Sequence, residues 1–279
     1  MTTTATTPAA PIILVTTGHP TLHQHPGRNG ELVHPRLGRL LQPRHLSSVE
    51  LTASAGIPWA ADNDCFQGLD EVAYRRMLDR LEGLEGCLFV TVPDVVGDSV
   101  QTLGLFDEWA DELEARGFPL GLVAQDGMTV EDLQARAGRL AALFIGGSTE
   151  WKEGAEALEL AVAAKAAGLW VHWGRVNTKR RFDLIVAGGA ADSFDGSKWA
   201  RWRKTYLPTG LEWCETALEE REAVELEARL ADAEAVRNFI ADVARDAAAI
   251  ATPAPARIPT TVLEPDELEP YIVGDERAA

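Results

Sequence analysis

The chain has 279 residues, a net charge of -17 and 46% hydrophobic residues. That length suits one large α/β domain plus a tail, or two small domains, and the apolar share excludes wholesale disorder. The charge excludes indiscriminate binding to a polyanion, which depends on Lys and Arg neutralising phosphates, but leaves room for a local basic groove.

Cys65, Cys87 and Cys214 are odd in number and widely spaced, with no CxxC pair. They point to a reducing compartment rather than a disulfide framework. No apolar run reaches the roughly 18 residues of a membrane span. The opening Met1-Thr-Thr-Thr-Ala-Thr-Thr-Pro lacks the basic and apolar regions of a signal peptide. The expected location is the cytoplasm, or a host's cytoplasm for a phage protein.

Residues 1–10 read as a disordered lead. Ile12-Ile-Leu-Val15 is a short buried strand by its β-branched run. Residues 18–45, rich in His, Pro, Gly and Arg, read as a long loop that could close over a pocket. Gly56–Ala60 is the next strand, then a helix over 69–83 with Val72, Met77, Leu78 and Leu81 at helical spacing. Cys87–Val92 is a strand, and 99–116 a helix ended by Gly117. The strand Leu120–Ala124 precedes Thr129-Val-Glu-Asp132, which resembles a capping box and opens a helix over 130–139.

Ala141–Ile145 is a strand and 153–167 an alanine-rich helix. Leu169–Trp173 is a strand, Asn177-Thr178 starts a helix that runs to Gly188, and Ala190–Phe194 is the last clear strand. Residues 211–250 read as one or two C-terminal helices, and the proline-rich, acidic 251–279 as a flexible tail.

Strands and helices alternate as βαβ units do. The seven strand candidates fall one short of a (β/α)8 barrel over 11–210. The eighth is expected in 46–55 or after Asp195. An open doubly wound sheet is the competing architecture, but neither GxGxxG nor GxxxxGK[ST] follows any strand.

Polar clusters end most of the apolar runs, as loops at a barrel's active face do. Asp195, after Asp192-Ser-Phe, could attack an electrophilic carbon, or could simply be a turn or N-cap aspartate before Gly196. Asp62 and Asp64 follow a strand in a loop that also carries Phe66. A buried acid there could protonate a leaving group under a stacked ring, or the Asp-Asn pair could only shape a turn. Asp94 after Pro93 and Gln125 after its strand offer an acceptor and an amide, and Gly146-Gly147 lets backbone come close to a planar ligand. Together they describe a pocket for a purine.

His19, His23, His25, His34 and His45 lack metal-ligand spacing and read as loop histidines. Cys214 reads as a buried structural thiol. A basic island over 175–204 holds Arg175, Lys179, Arg180, Arg181, Lys198 and Arg201, with Trp199 and Trp202 interleaved. It suits a nucleic-acid backbone, or a surface helix that balances the acidic C-terminal helices.

Ala61-Asp-Asn-Asp-Cys-Phe-Gln67, Val92-Pro-Asp-Val-Val-Gly-Asp98, Val123-Ala-Gln-Asp-Gly127, Phe144-Ile-Gly-Gly-Ser-Thr-Glu-Trp-Lys152, Val171-His-Trp-Gly-Arg-Val-Asn177 and Ala191-Asp-Ser-Phe-Asp-Gly196 occur in that order. This pattern resembles the guanine transglycosylase superfamily, and more closely the DpdA-type deazapurine DNA transglycosylases of phages and bacteria. The resemblance spans about residues 12 to 204. It implies a TIM-like barrel that exchanges guanine in DNA for a 7-deazaguanine such as 7-cyano-7-deazaguanine, through a covalent glycosyl-enzyme and without a cofactor.

On that resemblance Asp195 is the nucleophile, with Asp192 as the alternative and a substrate-side residue. Asp62 is the acid/base, and Phe66, Asp94, Gln125, Gly146, Gly147, His172 and Gly174 hold the base. The cysteine cluster of the tRNA enzymes' zinc site is missing after residue 204, so no such zinc is expected. A tRNA-directed exchange and a non-enzymatic nucleobase-binding barrel are the alternatives. The acidic chain leaves a place for a helper protein.

Overall fold

The computed structural model describes residues 11–16, 33–46, 49 and 56–250. Among them, eight parallel strands close into a barrel in sequence order. They are β1 (Ile12–Val15), β2 (Leu37–Leu41), β3 (Trp59–Ala61), β4 (Cys87–Thr91), β5 (Leu120–Ala124), β6 (Leu140–Ile145), β7 (Trp170–Trp173) and β8 (Ser193–Phe194). Closure comes from β1 pairing with β8, Ile12 opposite Ser193 and Ile13 opposite Phe194.

The helices are α1 (Glu71–Leu81), α2 (Ser99–Ala115), α3 (Val130–Gln134), α4 (Thr149–Lys152), α5 (Ala155–Ala166), α6 (Lys179–Ala187), α7 (Ser197–Arg201) and α8 (Arg203–Ile250). None is long and apolar enough to cross a membrane.

Strand alternation divides the core in two. Ile12, Leu14, Leu40, Ala60, Phe89 and Ala142 fill one cluster. Their neighbours of opposite parity, such as Ile13, Leu37, Leu41, Trp59, Val90 and Leu143, join the larger cluster shared with the helices. α1 buries Met77, Leu78 and Leu81 as its spacing predicts, but Val72 is 81% exposed and Tyr74 completes the buried stripe instead. Its start is fixed by Asp70, which accepts from Ala73 N–H. α2 starts the same way at Asp98 and buries Phe106, Trp109 and Leu113. The Thr129–Asp132 capping box is present with both of its reciprocal bonds.

The eighth strand corrects the sequence reading. It is β2, Leu37-Gly-Arg-Leu-Leu41, inside the segment expected to be loop. Its pattern is interrupted by Arg39, which is only 1% exposed. A buried guanidinium in mid-strand breaks the apolar run by which strands are recognised, and burial pulls Arg39 down to about 10. Two smaller differences concern helices. Residues 130–139 form α3 and a separate 3-10 turn, Ala137–Arg139, and the C-terminal helix starts at Arg203, ahead of 211. The lead at 1–10, most of 18–45 and of 46–55, and the tail at 251–279 lie outside the described residues.

The chain divides into a unit ending at Glu225 and a second starting at Leu226. Within the second, the helix leaves Leu226, Leu230, Val236, Phe239, Ile240 and Val243 exposed.

Candidate functional site

Seven strands, β2 to β8, send residues from the segments that follow them into one cavity at the C-terminal end of the barrel. It holds about 200 Å³. Gln42 follows β2, Asp62 to Phe66 follow β3, Asp94 follows β4 and Gln125 follows β5. Gly146, Gly147 and Lys152 follow β6, Gly174 and Arg175 follow β7, and Asp195 follows β8. The apolar wall comes from Val96, Val123 and Phe144, and Phe66 stands 67% exposed beside the opening.

Asp195 owes its direction to the two-residue β8. Phe194 is fully buried against Phe182 and Trp199, at centroid separations of 5.5 and 6.0 Å. Its neighbours Ser193 and Asp195 therefore face the other way, into the barrel. Oδ1 of Asp195 accepts the Arg175 N–H at 2.7 Å and lies 3.6 Å from His172 Nε2. The Arg175 guanidinium donates to the Gly147 carbonyl. Gly196 is obligatory for crowding rather than dihedral reasons, since a Cβ there would come within 2.5 Å of Asn177 Oδ1 and 2.9 Å of the Val176 carbonyl.

Asp62 accepts from Gln42 Nε2 at 2.8 Å through Oδ2 and from Asp64 N–H at 3.2 Å through Oδ1. Burial pushes its carboxyl up from 3.8 to about 7. The two hydrogen bonds oppose that rise, and the nearby Asp94 and Asp195 charges add to it. Asp94 is pushed up to about 6 by burial, against hydrogen bonds from Asn63 and Gln125. Its two oxygens accept Asn63 Nδ2 at 2.7 Å and Gln125 Nε2 at 2.6 Å. Burial also pulls the Lys152 ammonium down from 10.5 to about 7, with the Arg175 charge adding to the effect. Lys152 is 4% exposed and donates to the Gly174 carbonyl at 3.0 Å. Cys65 lines the cavity too, but burial pushes its thiol up to about 12, so it is not a thiolate at neutral pH.

Asp64 and Arg175 are, among the described residues, the two non-glycine residues with positive φ, at 59° and 61°. Both line the cavity. Left-handed backbone at such residues is strained by roughly 1–3 kcal/mol each and collects at functional sites.

The structure thus brings Asp62, Phe66, Asp94, Gln125, Gly146, Gly147, Gly174, Arg175 and Asp195 to one cavity. The amides of Gly146 and Gly147 are not free to contact a ligand. Gly146 N–H donates to the Ala124 carbonyl at 2.9 Å and Gly147 N–H to Gln125 Oε1 at 2.8 Å. Gln125 Oε1 also takes Gly97 N–H, so this side chain braces three loops.

His172 lies inside the barrel, fully buried. Asp192 is at the opposite end of its strand. It is 1% exposed, and its carboxylate accepts Lys165 Nζ at 2.7 Å and the Val171 N–H at 2.7 Å. That ion pair, and not a ligand, satisfies Asp192.

Of the basic island, only Arg175 reaches the cavity. Arg180 and Arg181 both bind Glu153, and Lys179 binds Asp183. Lys198 lies 4.1 Å from the Tyr206 ring and Arg201 5.5 Å from that of Trp202. Trp199 is core, donating to the Val176 carbonyl at 2.9 Å, whereas Trp202 is half exposed. His34 is buried and accepts from Arg36 N–H through Nδ1. His19, His23 and His25 lie outside the described residues.

The sequence reading gives no site role to Gln42, Asn63 or Lys152. Gln42 follows the strand that Arg39 disguised. Asn63 had a signal, since an amide between two aspartates after a strand can bridge carboxylates. Lys152 had none, because a lysine in a short polar helix ordinarily faces solvent.

No family model and no curated protein matches the chain. Solved structures do match. A putative fructose-1,6-bisphosphate aldolase from Coccidioides immitis aligns at 16% identity over 77% of this chain and 86% of that one, with a TM-score of 0.49. An HpcH/HpaI aldolase from Desulfitobacterium hafniense aligns at 15% identity over 73% and 92%, with a TM-score of 0.43. A tryptophan synthase from M. tuberculosis aligns at 17% identity over 77% and 92%, with a TM-score of 0.44. At such identities the likeness concerns the barrel alone.

These neighbours are not guanine transglycosylases, and they correct the activity that the motif order implied. Exchange of guanine in DNA, its tRNA counterpart and a non-catalytic nucleobase-binding barrel are set aside. The physical reason is that acidic and glycine-rich turns after successive strands are what a barrel mouth presents whatever its reaction.

Proposed function

We propose that this chain is an acid–base enzyme that acts on a small planar ligand held in the barrel mouth, with Asp62 as the proton donor and Asp195 as the second working carboxyl. The observation that carries the reading is the carboxylate trio Asp62, Asp94 and Asp195, delivered from three strands to one cavity, with Asp62 raised to about 7. An acid with that value is half protonated at neutral pH, where proton transfer is most effective. Phe66 offers an exposed ring on which a planar heterocycle can stack, at a cavity that Asp62, Arg175 and Asp195 also line.

The test is calorimetric titration of the full chain with purine and pteridine heterocycles between pH 5 and 9. We expect binding that weakens as pH rises through about 7, because Asp62 then loses the proton it donates. Asp62→Asn should bind with a shallower pH profile, left only with what Asp94 near 6 and Lys152 near 7 contribute, and Phe66→Ala should weaken binding at every pH. A flat profile in the unaltered protein, or binding to no planar heterocycle, would contradict the reading.

Lys152 favours a second reading. A buried amine near 7 in a cavity is a competent nucleophile toward a carbonyl carbon, with loss of water and formation of an imine. Borohydride reduction in the presence of glyoxylate would fix the adduct on Lys152. Mass spectrometry showing no adduct, or the same adduct in Lys152→Met, would remove this reading.

A further inference from the structure

His172 lies on β7 with its ring 4.4 Å from that of Phe144 and 5.6 Å from that of Phe89. Its surroundings decide which nitrogen carries the proton. The Trp170 indole N–H can only donate, and it lies 2.7 Å from Ser193 Oγ. Ser193 Oγ is also 2.8 Å from His172 Nδ1. Ser193 is fully buried. Were Nδ1 protonated, Ser193 would accept from both neighbours, and its own hydroxyl hydrogen would need a third partner. A buried donor without one is costly, because it has given up water and gained nothing. The economical arrangement runs one way: indole N–H to Ser193 oxygen, Ser193 hydrogen to the Nδ1 lone pair. The neutral ring then carries its hydrogen on Nε2.

His172 Nε2 is buried and has no hydrogen-bond partner. It faces Asp195 Oδ1 at 3.6 Å. That is longer than a hydrogen bond, but closing it takes a movement of only about 0.6 Å. The same Oδ1 already accepts the Arg175 N–H from the neighbouring loop.

We infer that His172 is a positioning residue for Asp195, its Nε2–H aimed at Oδ1 by the chain Trp170–Ser193–His172. The relay fixes the imidazole and the imidazole fixes the carboxylate. Asp195 is then held through Oδ1 alone, by the Arg175 amide on one side and the imidazole on the other, and Oδ2 engages neither. The carboxylate rests on a buried network inside the barrel, where it resists rotation. The inference uses the proposed function only in taking Asp195 as the working carboxylate.

The test needs no substrate. Long-range 1H–15N spectra of the full chain, with His172→Gln to identify the signal, report the tautomer. We expect Nε2 protonated and Nδ1 bare, and a mixed tautomer in Ser193→Ala, which keeps the ring in place. Carbon-13 spectra of the Asp195 carboxyl supply the second reading. His172→Leu should shift the Asp195 carboxyl resonance through loss of a donor to Oδ1. His172→Gln, whose amide can still donate, should shift it less.

A proton on Nδ1, or an Asp195 carboxyl resonance equally unmoved in both variants, would overturn the inference. Neither result bears on whether the cavity binds a heterocycle, so failure here and failure of the proposed function are distinguishable. Should the His172 variants not fold, Ser193→Ala still decides through the tautomer alone.

Discussion

Replacing Asp62 by asparagine should change stability in a direction that depends on pH. Asp62 has its folded value raised from 3.8 to about 7 by burial. Its favourable contribution is therefore fully present below about 3.8 and is lost as pH rises through 7. Each pH unit in that interval is worth about 1.4 kcal/mol, so the whole rise gives an upper bound of about 4 kcal/mol between pH 4 and pH 8.

Asparagine does not titrate, but its single oxygen cannot accept from both Gln42 and the Asp64 N–H as the two carboxylate oxygens do. That lost bond costs about 1 kcal/mol at every pH. Asp62→Asn should thus be about 1 kcal/mol less stable than the unaltered chain at pH 4. At pH 8 it should be more stable, by up to about 3 kcal/mol, with the crossing in between. Urea unfolding of both proteins at several pH values measures the difference directly. A difference that stays constant from pH 4 to pH 8 would refute the reasoning, because it would mean that Asp62 titrates alike in the folded and unfolded chains.

Two other substitutions follow from contacts away from that carboxyl. Lys165→Met leaves Asp192 1% exposed without the ammonium that meets both its oxygens at 2.7 Å. Breaking such a buried pair should cost about 3–5 kcal/mol in urea unfolding at pH 7, while ligand binding in the cavity is unchanged. Gly147→Ala places a Cβ 2.6 Å from Asp126 Oδ2 and 2.7 Å from the Trp151 ring, at a backbone φ of 72°. The loss should be about 2 kcal/mol or more, read as a lowered Tm and weaker binding in the cavity.

Most of the barrel was legible because buried parallel strands read as short apolar runs, and Cys87–Thr91, Leu120–Ala124 and Leu140–Ile145 are such runs. β2 was not, because Arg39 puts a charge where the pattern needs an apolar residue. Losing β2 also hid Gln42, the hydrogen-bond partner of Asp62.

The acidic members of the cavity were legible because each follows a strand. Their states were not. Whether Asp94 faces a ligand edge or two amides depends on Asn63 and Gln125, which lie 31 residues away on either side. Gly146 and Gly147 looked like backbone donors, yet their N–H groups close the β5–β6 connection and bind Gln125. In sequence Asp192 stands as the alternative to Asp195 as nucleophile. Three residues along a short strand carry one to the Lys165 ion pair and the other to the cavity.

The central claim is that Asp62 is an acid poised near neutrality at the mouth of this barrel. The most direct test is a pH titration of its side-chain carboxyl by carbon-13 NMR in the full chain, with Asp62→Asn to identify the signal. A midpoint near 7 is the predicted result. A midpoint near 4, the ordinary value for an aspartate, would contradict the account, since an ionised Asp62 has no proton to give at neutral pH.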